Sequence, residues 1–287
     1  MQRHQEQDGD RSEYRDRGEG RAAGRFGEHT ALVTGAGRGI GAAVCHRLAA
    51  EGARVLVTDA DGERAERTAE AVREAGGHAE AAVCDVGDPA SAEAAVARAV
   101  DLFGGLDVLV NNAYAIHPDP PRFEDFSEEE WQRDLDITLT GAFRCARAAL
   151  PRLAAAPGRR GAIVNIGSVN GERDFGGHAY SAAKAGLASL TRTLAGHAAP
   201  RGVRVNLVAP GTIATPAWEG REAVLERVAR EYPLGRVGRP DDIAAAVAFL
   251  ASADAAWITG VTLPVDGGLL VGNLGLRRAM GGAGADG

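Results

Sequence analysis

Short apolar runs alternate with longer segments of helical character from Thr30 to Asp266, and this alternation most constrains the fold. Most of the runs are apolar at successive positions, so both faces of each strand are expected to be buried. Strands of this kind form parallel sheets that are covered by helices on both faces. The sequence therefore predicts an α/β fold with one doubly wound parallel sheet of about seven strands. The predicted strands cover residues 30–34, 54–59, 78–84, 106–110, 162–166, 203–208 and 261–266.

Several of the intervening helices carry start signals in the sequence. Asp88 and Pro89 suit the N-cap and the first position of a helix that runs to Phe103. Ser127 followed by Glu130 fits a capping box and predicts one long helix from about residue 127. Further helices are predicted around Tyr180 and over residues 42–51, 63–75 and 240–250, with a loop and lid over residues 210–233.

Both ends of the chain differ in composition from the region between them. Residues 1–27 mix Arg with Asp, Glu, Gln and Gly and hold almost no apolar side chains, so we expect a disordered tail. Residues 272–287 end in a stretch of glycine and alanine, and we expect them to be flexible at least at their end. No change of composition divides residues 28–271, which are predicted to form one domain.

Charge and cysteine content weigh against several classes of function. The 287 residues carry a formal net charge of −7, which argues against nucleic acid or an anionic membrane as the main partner. No apolar run reaches transmembrane length. The three cysteines are widely spaced, and no His, Cys or acidic side chains have ligand spacing, so we expect neither a disulfide framework nor a metal site. A cytoplasmic location is the default expectation for such a chain.

The segment between the first strand and the first helix contains four glycines, at Gly35, Gly37, Gly39 and Gly41. Glycines there permit a tight turn and let the backbone approach a pyrophosphate at the helix N-terminus. Asp59 ends the second strand, where an acid can accept both hydroxyls of an adenosine ribose and repel a 2′-phosphate. We therefore expect NAD(H) in preference to NADP(H). Arg38 leaves NADP(H) possible, because an arginine in this loop could pair with that phosphate.

Lys184 is the only lysine of the chain, in which every other strong cation is arginine. It follows Tyr180 by four residues, and positions i and i+4 of a helix share a face. An ammonium at roughly 4 Å favours a phenolate by about 4 kcal/mol at an effective dielectric near 20, or close to three pKa units. We therefore expect Tyr180 to have a lowered pKa and to act as an acid and base near neutral pH. Taken alone, the pair also fits a surface Tyr and Lys on an alanine-rich helix.

Together, the motifs resemble those of the short-chain dehydrogenase/reductase family, whose members are Rossmann-fold oxidoreductases that use NAD(P). Residues 34–41, TGAGRGIG, fit the family pattern T-G-x-x-x-G-x-G, and further motifs follow in the family's order. The resemblance covers about residues 30–270. The further motifs are Asp85-Val86, Asn111-Asn112-Ala113, Ser168, Tyr180-x-x-x-Lys184, Pro210-Gly211, residues 238–243, Ile258-Thr259-Gly260 and Asp266-Gly267-Gly268.

The resemblance implies hydride transfer between NAD(H) and a carbonyl or secondary alcohol carbon. It implies that Tyr180 exchanges the proton of the substrate oxygen, that Lys184 supports Tyr180 and binds the nicotinamide ribose, and that Ser168 polarises the substrate oxygen. It also implies cofactor contacts in the glycine loop and after several strands. These contacts are Gly35, Gly37, Arg38, Gly39, Ile40, Gly41, Asp59, Asp85, Val86, Asn111, Asn112, Ala113, Tyr180, Lys184, Pro210, Gly211, Ile213 and Thr215.

Two residues depart from the family's pattern. Thr138 stands where similar enzymes usually carry an Asn that holds a proton-relaying water. Either the Thr138 hydroxyl keeps such a water with help from the backbone, or proton relay is impaired. Tyr114 stands where Asn-Asn-Ala is normally followed by Gly. Its ring either narrows the pocket or stacks on the substrate, or else packs outward against the next loop.

Substrate choice is expected to depend on the lid and on the loops near Tyr180. Trp218 in the lid indicates an apolar or ring-bearing substrate, unless it only packs the lid shut. His178, Arg173 and Asp174 are either substrate contacts or solvated loop residues.

The leading hypothesis is an alcohol dehydrogenase or ketone reductase that acts on a small molecule. The alternatives are a 3-oxoacyl-thioester reductase that uses NADP(H), and a cofactor-binding scaffold that has lost turnover. We also expect a homo-oligomer, a tetramer or a dimer, because the alanine-rich faces of residues 142–153 and 182–194 allow close helix packing.

Overall fold

The computed structural model describes residues 24–272, 274, 275 and 280. Within these residues seven strands pair in parallel in the order β3-β2-β1-β4-β5-β6-β7, which confirms the predicted doubly wound sheet. The strands are β1 (Thr30–Val33), β2 (Arg54–Asp59), β3 (His78–Val83), β4 (Val108–Asn111), β5 (Ala162–Ile166), β6 (Arg204–Pro210) and β7 (Thr262–Val265).

Eight α-helices accompany the sheet in the described part of the chain. They are α1 (Gly39–Ala50), α2 (Gly62–Glu74), α3 (Pro89–Phe103), α4 (Glu128–Leu135), α5 (Gly141–Ala154), α6 (His178–Ala198), α7 (Glu222–Ala229) and α8 (Pro240–Ala251). Asp88 caps α3 by accepting a hydrogen bond from the backbone N–H of Ala90 at 3.0 Å.

The single long helix that was expected from residue 127 is instead two α-helices. One π-helical turn, Asp136–Thr140, joins α4 to α5. Ser127 still caps the first of them, because its hydroxyl accepts from the backbone N–H of Glu130 at 3.4 Å. A π turn of this kind often marks a functional site, and this one contains Thr138.

Alternate residues of the central strands pack into two separate cores. In β1, Ala31 and Val33 face the layer formed by α1, α2 and α8, whereas Leu32 faces the layer of α3 and α5. Each face of the sheet is therefore covered by helices, as the apolar strands required. The two edge strands, β3 and β7, are only partly buried.

The packed region begins earlier in the chain than residue 28. Phe26 is fully buried, and its backbone N–H donates to the carbonyl of Glu51 at 2.8 Å. Residues 24–27, which were predicted to belong to the disordered tail, pack on the core through the buried Phe26 and the ion pair between Arg25 and Glu51. The rest of that prediction falls on residues 1–23, and most of the C-terminal prediction falls on residues 273, 276–279 and 281–287, all outside the described residues. Among the described helices, none is both long and apolar enough to cross a membrane.

Replacing Phe26 tests this anchor. Phe26→Ala should lower the free energy of unfolding by about 3 kcal/mol, because it removes a buried ring and leaves a cavity. Urea unfolding followed by circular dichroism measures the loss. The matched control is Trp257→Ala, since Trp257 is 99% exposed and its removal should change stability little. Equal stability of Phe26→Ala and the wild type would show that residues 24–27 contribute no packing.

Candidate active site

The carboxyl ends of β1 and β4 lie side by side in the middle of the sheet. The chain winds outward from β1 through β2 and β3 and then returns to β4 on the other side of β1. In doubly wound sheets such a switch point opens a crevice for ligands. A cleft of about 540 Å³ lies there. Its lining includes Gly35, Asp59, Asp85, Ala113 and Thr215.

The glycine loop is folded tightly against the end of β4. A Cβ atom on Gly35, whose φ is +59°, would lie 2.8 Å from the Cα of Ala113. A Cβ atom on Gly41 would lie 2.6 Å from Nδ2 of Asn112. That nitrogen donates to the carbonyls of Thr34 at 3.0 Å and Gly35 at 2.7 Å. Glycine at both positions therefore lets Asn112 tie the loop to the sheet.

The start of α1 faces the cleft. Within the described part of the chain, the side chain of its N-cap residue, Arg38, makes no capping hydrogen bond. The free N–H groups and the helix dipole favour an anion at this point. Arg38, Gly39 and Ile40 line the cleft, and Thr215 lines it too. The loop, the uncapped helix and the size of the cleft fit a dinucleotide.

Asp59 lies in the cleft at the end of β2, and the loop backbone already binds its carboxylate. Oδ2 accepts from the N–H of Gly37 at 3.0 Å, and Oδ1 accepts from the N–H of Asp61 at 3.0 Å. Each carboxylate oxygen can accept a second hydrogen bond. Asp59 therefore both shapes the glycine loop and retains acceptors for ribose hydroxyls.

Arg64 is a residue of this site that the sequence analysis missed. It lines the cleft together with Asp59 and Arg38, and its Nε lies 3.1 Å from Oδ2 of Asp61. Two guanidinium groups therefore border the expected ribose site. The available signal was the position of Arg64 in the first turn of the helix that follows Asp59.

The cleft collects only part of the cofactor contacts expected from the sequence. Asp85 and Val86 line it, next to Cys84 and Ile137. The expected contacts that lie outside its described lining are Gly37, Gly41, Asn111, Tyr180, Lys184, Pro210, Gly211 and Ile213.

Three of these outlying contacts belong to other parts of the fold. The buried amide of Asn111 donates to Oδ1 of Asn165 at 2.8 Å and so joins β4 to β5. Gly211 and Ile213 line a separate cavity of about 130 Å³ with Tyr232, whose hydroxyl accepts from the backbone N–H of Thr212 at 2.5 Å.

Ser168, Tyr180 and Lys184 meet where β5 ends and α6 begins. Lys184 Nζ lies 5.3 Å from the centroid of the Tyr180 ring and donates to the carbonyl of Ile166 at 2.5 Å. Tyr180 and Lys184 are thus on one face of α6, as their spacing predicted. Ser168 acts to lower the pKa of the Tyr180 phenol.

Burial determines the direction in which the pKa values of Tyr180 and Lys184 are shifted. Burial raises the pKa of Tyr180 well above its usual value, and the hydrogen bond with Ser168 acts in the opposite direction. Lys184 is 2% exposed, and burial lowers the pKa of its ammonium to about 7. The predicted lowering of the Tyr180 pKa by Lys184 is therefore wrong in this structure. Desolvation disfavours both charged forms, and it outweighs the attraction that the sequence argument counted.

Asn170 is a second residue that the sequence analysis missed. The Ser168 hydroxyl donates to Oδ1 of Asn170 at 3.0 Å and accepts from its backbone N–H at 3.2 Å. Asn170 Nδ2 donates to the carbonyl of Gly176 at 2.9 Å, just before α6. Asn170 therefore fixes the Ser168 hydroxyl relative to the helix that carries Tyr180. A polar residue two positions after Ser168 was the only signal.

Tyr114 lies between the cleft and these three side chains. The Tyr114 ring makes an edge contact with the Tyr180 ring at 5.9 Å between centroids. Lys184 Nζ lies 5.8 Å from the centroid of the Tyr114 ring. Among the described residues that line the cleft, Tyr114 is present whereas Ser168, Tyr180 and Lys184 are not. Of the two alternatives for Tyr114, the structure has the ring turned inward, with 51% of the residue exposed.

Thr138 binds the loop that follows β4. Its buried hydroxyl donates to the carbonyl of Ala115 at 3.1 Å and accepts from the N–H of Ala115 at 3.0 Å. The hydroxyl proton is therefore already committed to the backbone. A relay water at Thr138 would have to bind the one remaining lone pair of its oxygen or displace Ala115.

The other expected substrate contacts are partly occupied. Trp218 packs under Arg221, whose guanidinium lies 4.6 Å from the ring centroid, while Pro216 and Ala217 of the lid line the cleft. The His178 ring contacts the ring of Phe123 at 5.2 Å between centroids. The described residues contain no group of three or more His, Cys, Asp or Glu side chains that could hold a metal ion.

The Lys184 ammonium makes stability depend on pH. Its pKa is about 7 in the folded chain and near 10.5 in the unfolded chain. Between these values the unfolded chain binds more protons, so stability should rise with pH. Urea unfolding at pH 7 and pH 8.5 should show a gain on the order of 1 kcal/mol in the wild type that Lys184→Met lacks.

The difference between the two proteins isolates Lys184, because the other titrating groups, including the Cys84 thiol with its lowered pKa, are present in both. Equal pH slopes for the wild type and Lys184→Met would contradict a buried, easily deprotonated ammonium.

Comparison with known proteins adds independent support for the class of fold and chemistry. Residues 35–270 match the family model described as enoyl-(acyl carrier protein) reductase. The cis-4-hydroxycyclohexanecarboxylate dehydrogenase of Sinomonas cyclohexanicum is 44% identical over 245 residues, which cover 85% of this chain and 97% of that protein. The 3-oxoacyl-[acyl-carrier-protein] reductase FabG of Vibrio cholerae is 43% identical over 245 residues, covering 83% of this chain and 96% of that protein.

One solved structure resembles this chain over nearly the whole length of the solved chain. The crystal structure of gox2181 superposes with a TM-score of 0.82 at 35% sequence identity, covering 86% of this chain and 98% of that chain. The order of the motifs along the sequence, the cleft at the switch point and these matches all indicate the same family. The chain belongs to the short-chain dehydrogenase/reductase family of Rossmann-fold oxidoreductases.

Proposed function

We propose that this oxidoreductase is an NAD(H)-dependent dehydrogenase that oxidises ring-bearing secondary alcohols or reduces the corresponding ketones. The observation that carries the proposal is the grouping of Ser168, Tyr180 and Lys184 beside a cleft that fits a dinucleotide. A nicotinamide dinucleotide, when bound, supplies the acceptor or donor of the hydride. The side chains of the protein handle the proton and the substrate oxygen.

Each of the three side chains has a distinct part in the proposed reaction. Tyr180 takes the hydroxyl proton as the phenolate in alcohol oxidation, and as the phenol it donates a proton in ketone reduction. Ser168 hydrogen-bonds the substrate oxygen and stabilises the charge that develops there. Lys184, in its protonated form, favours the phenolate of Tyr180. An ammonium with a pKa of about 7 can change its charge at neutral pH as the reaction proceeds.

The preference for a ring is inferred from the side chains around Tyr180. Tyr114 places an aromatic face next to the phenol, and Ile116, Phe123 and Phe175 expose apolar side chains on the neighbouring segments. A flat, rigid, apolar ring gains more from such a wall than a short chain does. The similarity to a dehydrogenase named for a hydroxycyclohexane carboxylate supports the same substrate class.

The choice of NAD(H) rests on Asp59, whose carboxylate lies where a 2′-phosphate would approach. Arg38 and Arg64 border the same part of the cleft and favour that phosphate. We propose that Asp59 dominates, because the N–H groups of Gly37 and Asp61 hold its charge in place, whereas Arg64 pairs with Asp61.

A second candidate function has a specific observation in its favour. The similarity to a 3-oxoacyl-[acyl-carrier-protein] reductase, together with Arg38 and Arg64, fits reduction of the 3-oxo group of a 3-oxoacyl thioester with NADP(H). A scaffold that binds the cofactor without turnover is the third possibility, to be judged by the same assay.

A substrate panel tests the proposed reaction. With NAD⁺, cyclohexanol derivatives should be oxidised with a kcat/KM roughly tenfold above that of 2-butanol, because the substrate ring packs against the Tyr114 side chain. Tyr180→Phe should lower kcat roughly 100-fold or more, because the proton acceptor is lost. Initial rates of NADH formation measure both effects.

Two comparisons decide among the candidates. NADH binding should still quench the protein fluorescence of Tyr180→Phe as it does that of the wild type. This measurement separates a loss of chemistry from a loss of cofactor binding. Preferential reduction of acetoacetyl thioesters with NADPH would favour the second candidate, and tight NADH binding with no turnover on the whole panel would favour the scaffold.

Asp59→Asn tests the cofactor preference. The wild type should prefer NAD⁺, and the variant should lose roughly tenfold of that preference, because the charge that repels a 2′-phosphate is gone while the shape is kept. The ratio of kcat/KM for NAD⁺ to that for NADP⁺ is the measurement. The matched control is Asp101→Asn, because Asp101 is an exposed residue of α3 outside the described lining of the cleft. A wild type that prefers NADP⁺ would overturn the assignment.

A further inference from the structure

A carboxylate from a distant part of the chain holds the start of α6. The N-cap residue of this helix is Gly177, with a φ of +68°, and glycine has no side chain that could cap it. Instead, Oδ2 of Asp119 accepts from the N–H of Gly177 at 2.6 Å, and Oδ1 accepts from the N–H of His178 at 2.8 Å. Asp119 precedes Gly177 by 58 residues and lies in the loop between β4 and α4.

The loop presents this carboxylate in a defined position. Pro118 and Pro120 flank Asp119, and their rings fix one φ angle on each side of it. The same loop is bound further back, where both oxygens of the buried Asp134 carboxylate contact the backbone N–H and the ring of His117. A carboxylate that accepts from N–H groups at a helix start also gains from the helix dipole.

The turn that Asp119 holds carries Tyr180, which is the third residue of α6. On the other side of the turn, the carbonyl of Gly176 accepts from Asn170 Nδ2 at 2.9 Å and from the Ser181 hydroxyl at 2.6 Å. Asn170 also binds the Ser168 hydroxyl. The orientation of the Tyr180 phenol relative to Ser168 therefore depends on two sets of contacts, one through Asn170 and one through Asp119.

We propose that Asp119 is a positioning residue for Tyr180. Its carboxylate fixes the first turn of α6 and couples that turn to the loop that begins at Tyr114. The Tyr180 phenol and the Tyr114 ring therefore keep a constant separation. Its importance for catalysis rests on the proposed dehydrogenase function. Asp119 lies outside the described lining of the dinucleotide cleft, so its loss should affect kcat and leave cofactor binding unchanged.

Three variants test the proposal in the full chain. Asp119→Ala removes both acceptors and should lower kcat roughly tenfold, with the KM for NAD⁺ unchanged. Asp119→Asn keeps one acceptor oxygen and should restore part of that loss. The matched control is Asp125→Ala, since the Asp125 carboxylate lies in the same loop but pairs with Arg122 at 2.7 and 2.8 Å. Rates are normalised to the active sites counted by NADH titration, so that unfolded protein does not contribute.

Hydrogen–deuterium exchange supplies a readout that does not need turnover. Peptides that cover residues 174–184 should exchange faster in Asp119→Ala than in the wild type and in Asp125→Ala. Unchanged exchange, or a normalised kcat for Asp119→Ala within about twofold of the wild type, would overturn the proposal. If the wild type converts no substrate on the panel, the proposed function fails, and the exchange result by itself decides whether Asp119 holds the start of α6.

Discussion

The parallel direction of all seven strands is the constraint on which the site depends. It brings the carboxyl ends of the strands to one edge, and the reversal of the winding between β1 and β4 leaves a crevice there that no crossover helix covers. The glycine loop can pack against Asn112 and Ala113 at this crevice only because Gly35 and Gly41 carry no side chains. The nucleotide end of the site is therefore a consequence of sheet topology and close backbone packing.

Desolvation shapes the part of the site around Tyr180 in a different way. Lys184 is buried beneath the aromatic rings of Tyr114 and Tyr180, and its ammonium retains the carbonyl of Ile166 as an acceptor. The low polarity around it brings the pKa of the ammonium to about 7 and raises that of the phenol. A phenol in this state holds its proton and can only donate it. Accepting the proton of an alcohol requires the phenolate, which Ser168 and a charged Lys184 favour.

The loop from Tyr114 to Pro120 connects the two ends of the site. Thr138 binds its first residues, Asp134 binds its middle, and Asp119 binds the start of α6. The π turn that interrupts the expected long helix contains Thr138, and the Thr138 hydroxyl binds the backbone of Ala115. These contacts assign Thr138 a role in holding the loop that a comparison with the usual Asn does not suggest.

The sequence by itself determined the order of strands and helices, the glycine loop with Asp59 at the end of β2, and the shared face of Tyr180 and Lys184. These features depend on local periodicity and short spacings, which neighbouring residues settle among themselves. The tertiary structure alone decided the anchor at Phe26, the capping of α6 by Asp119, the place of Arg64 beside Asp59 and the inward turn of Tyr114. Apart from Arg64, which lies only five residues from Asp59, each of these joins residues far apart in the chain or depends on burial. The sign of the Tyr180 pKa shift reversed for that reason: the charge of Lys184 could be counted from its spacing, but the loss of water around both groups could not.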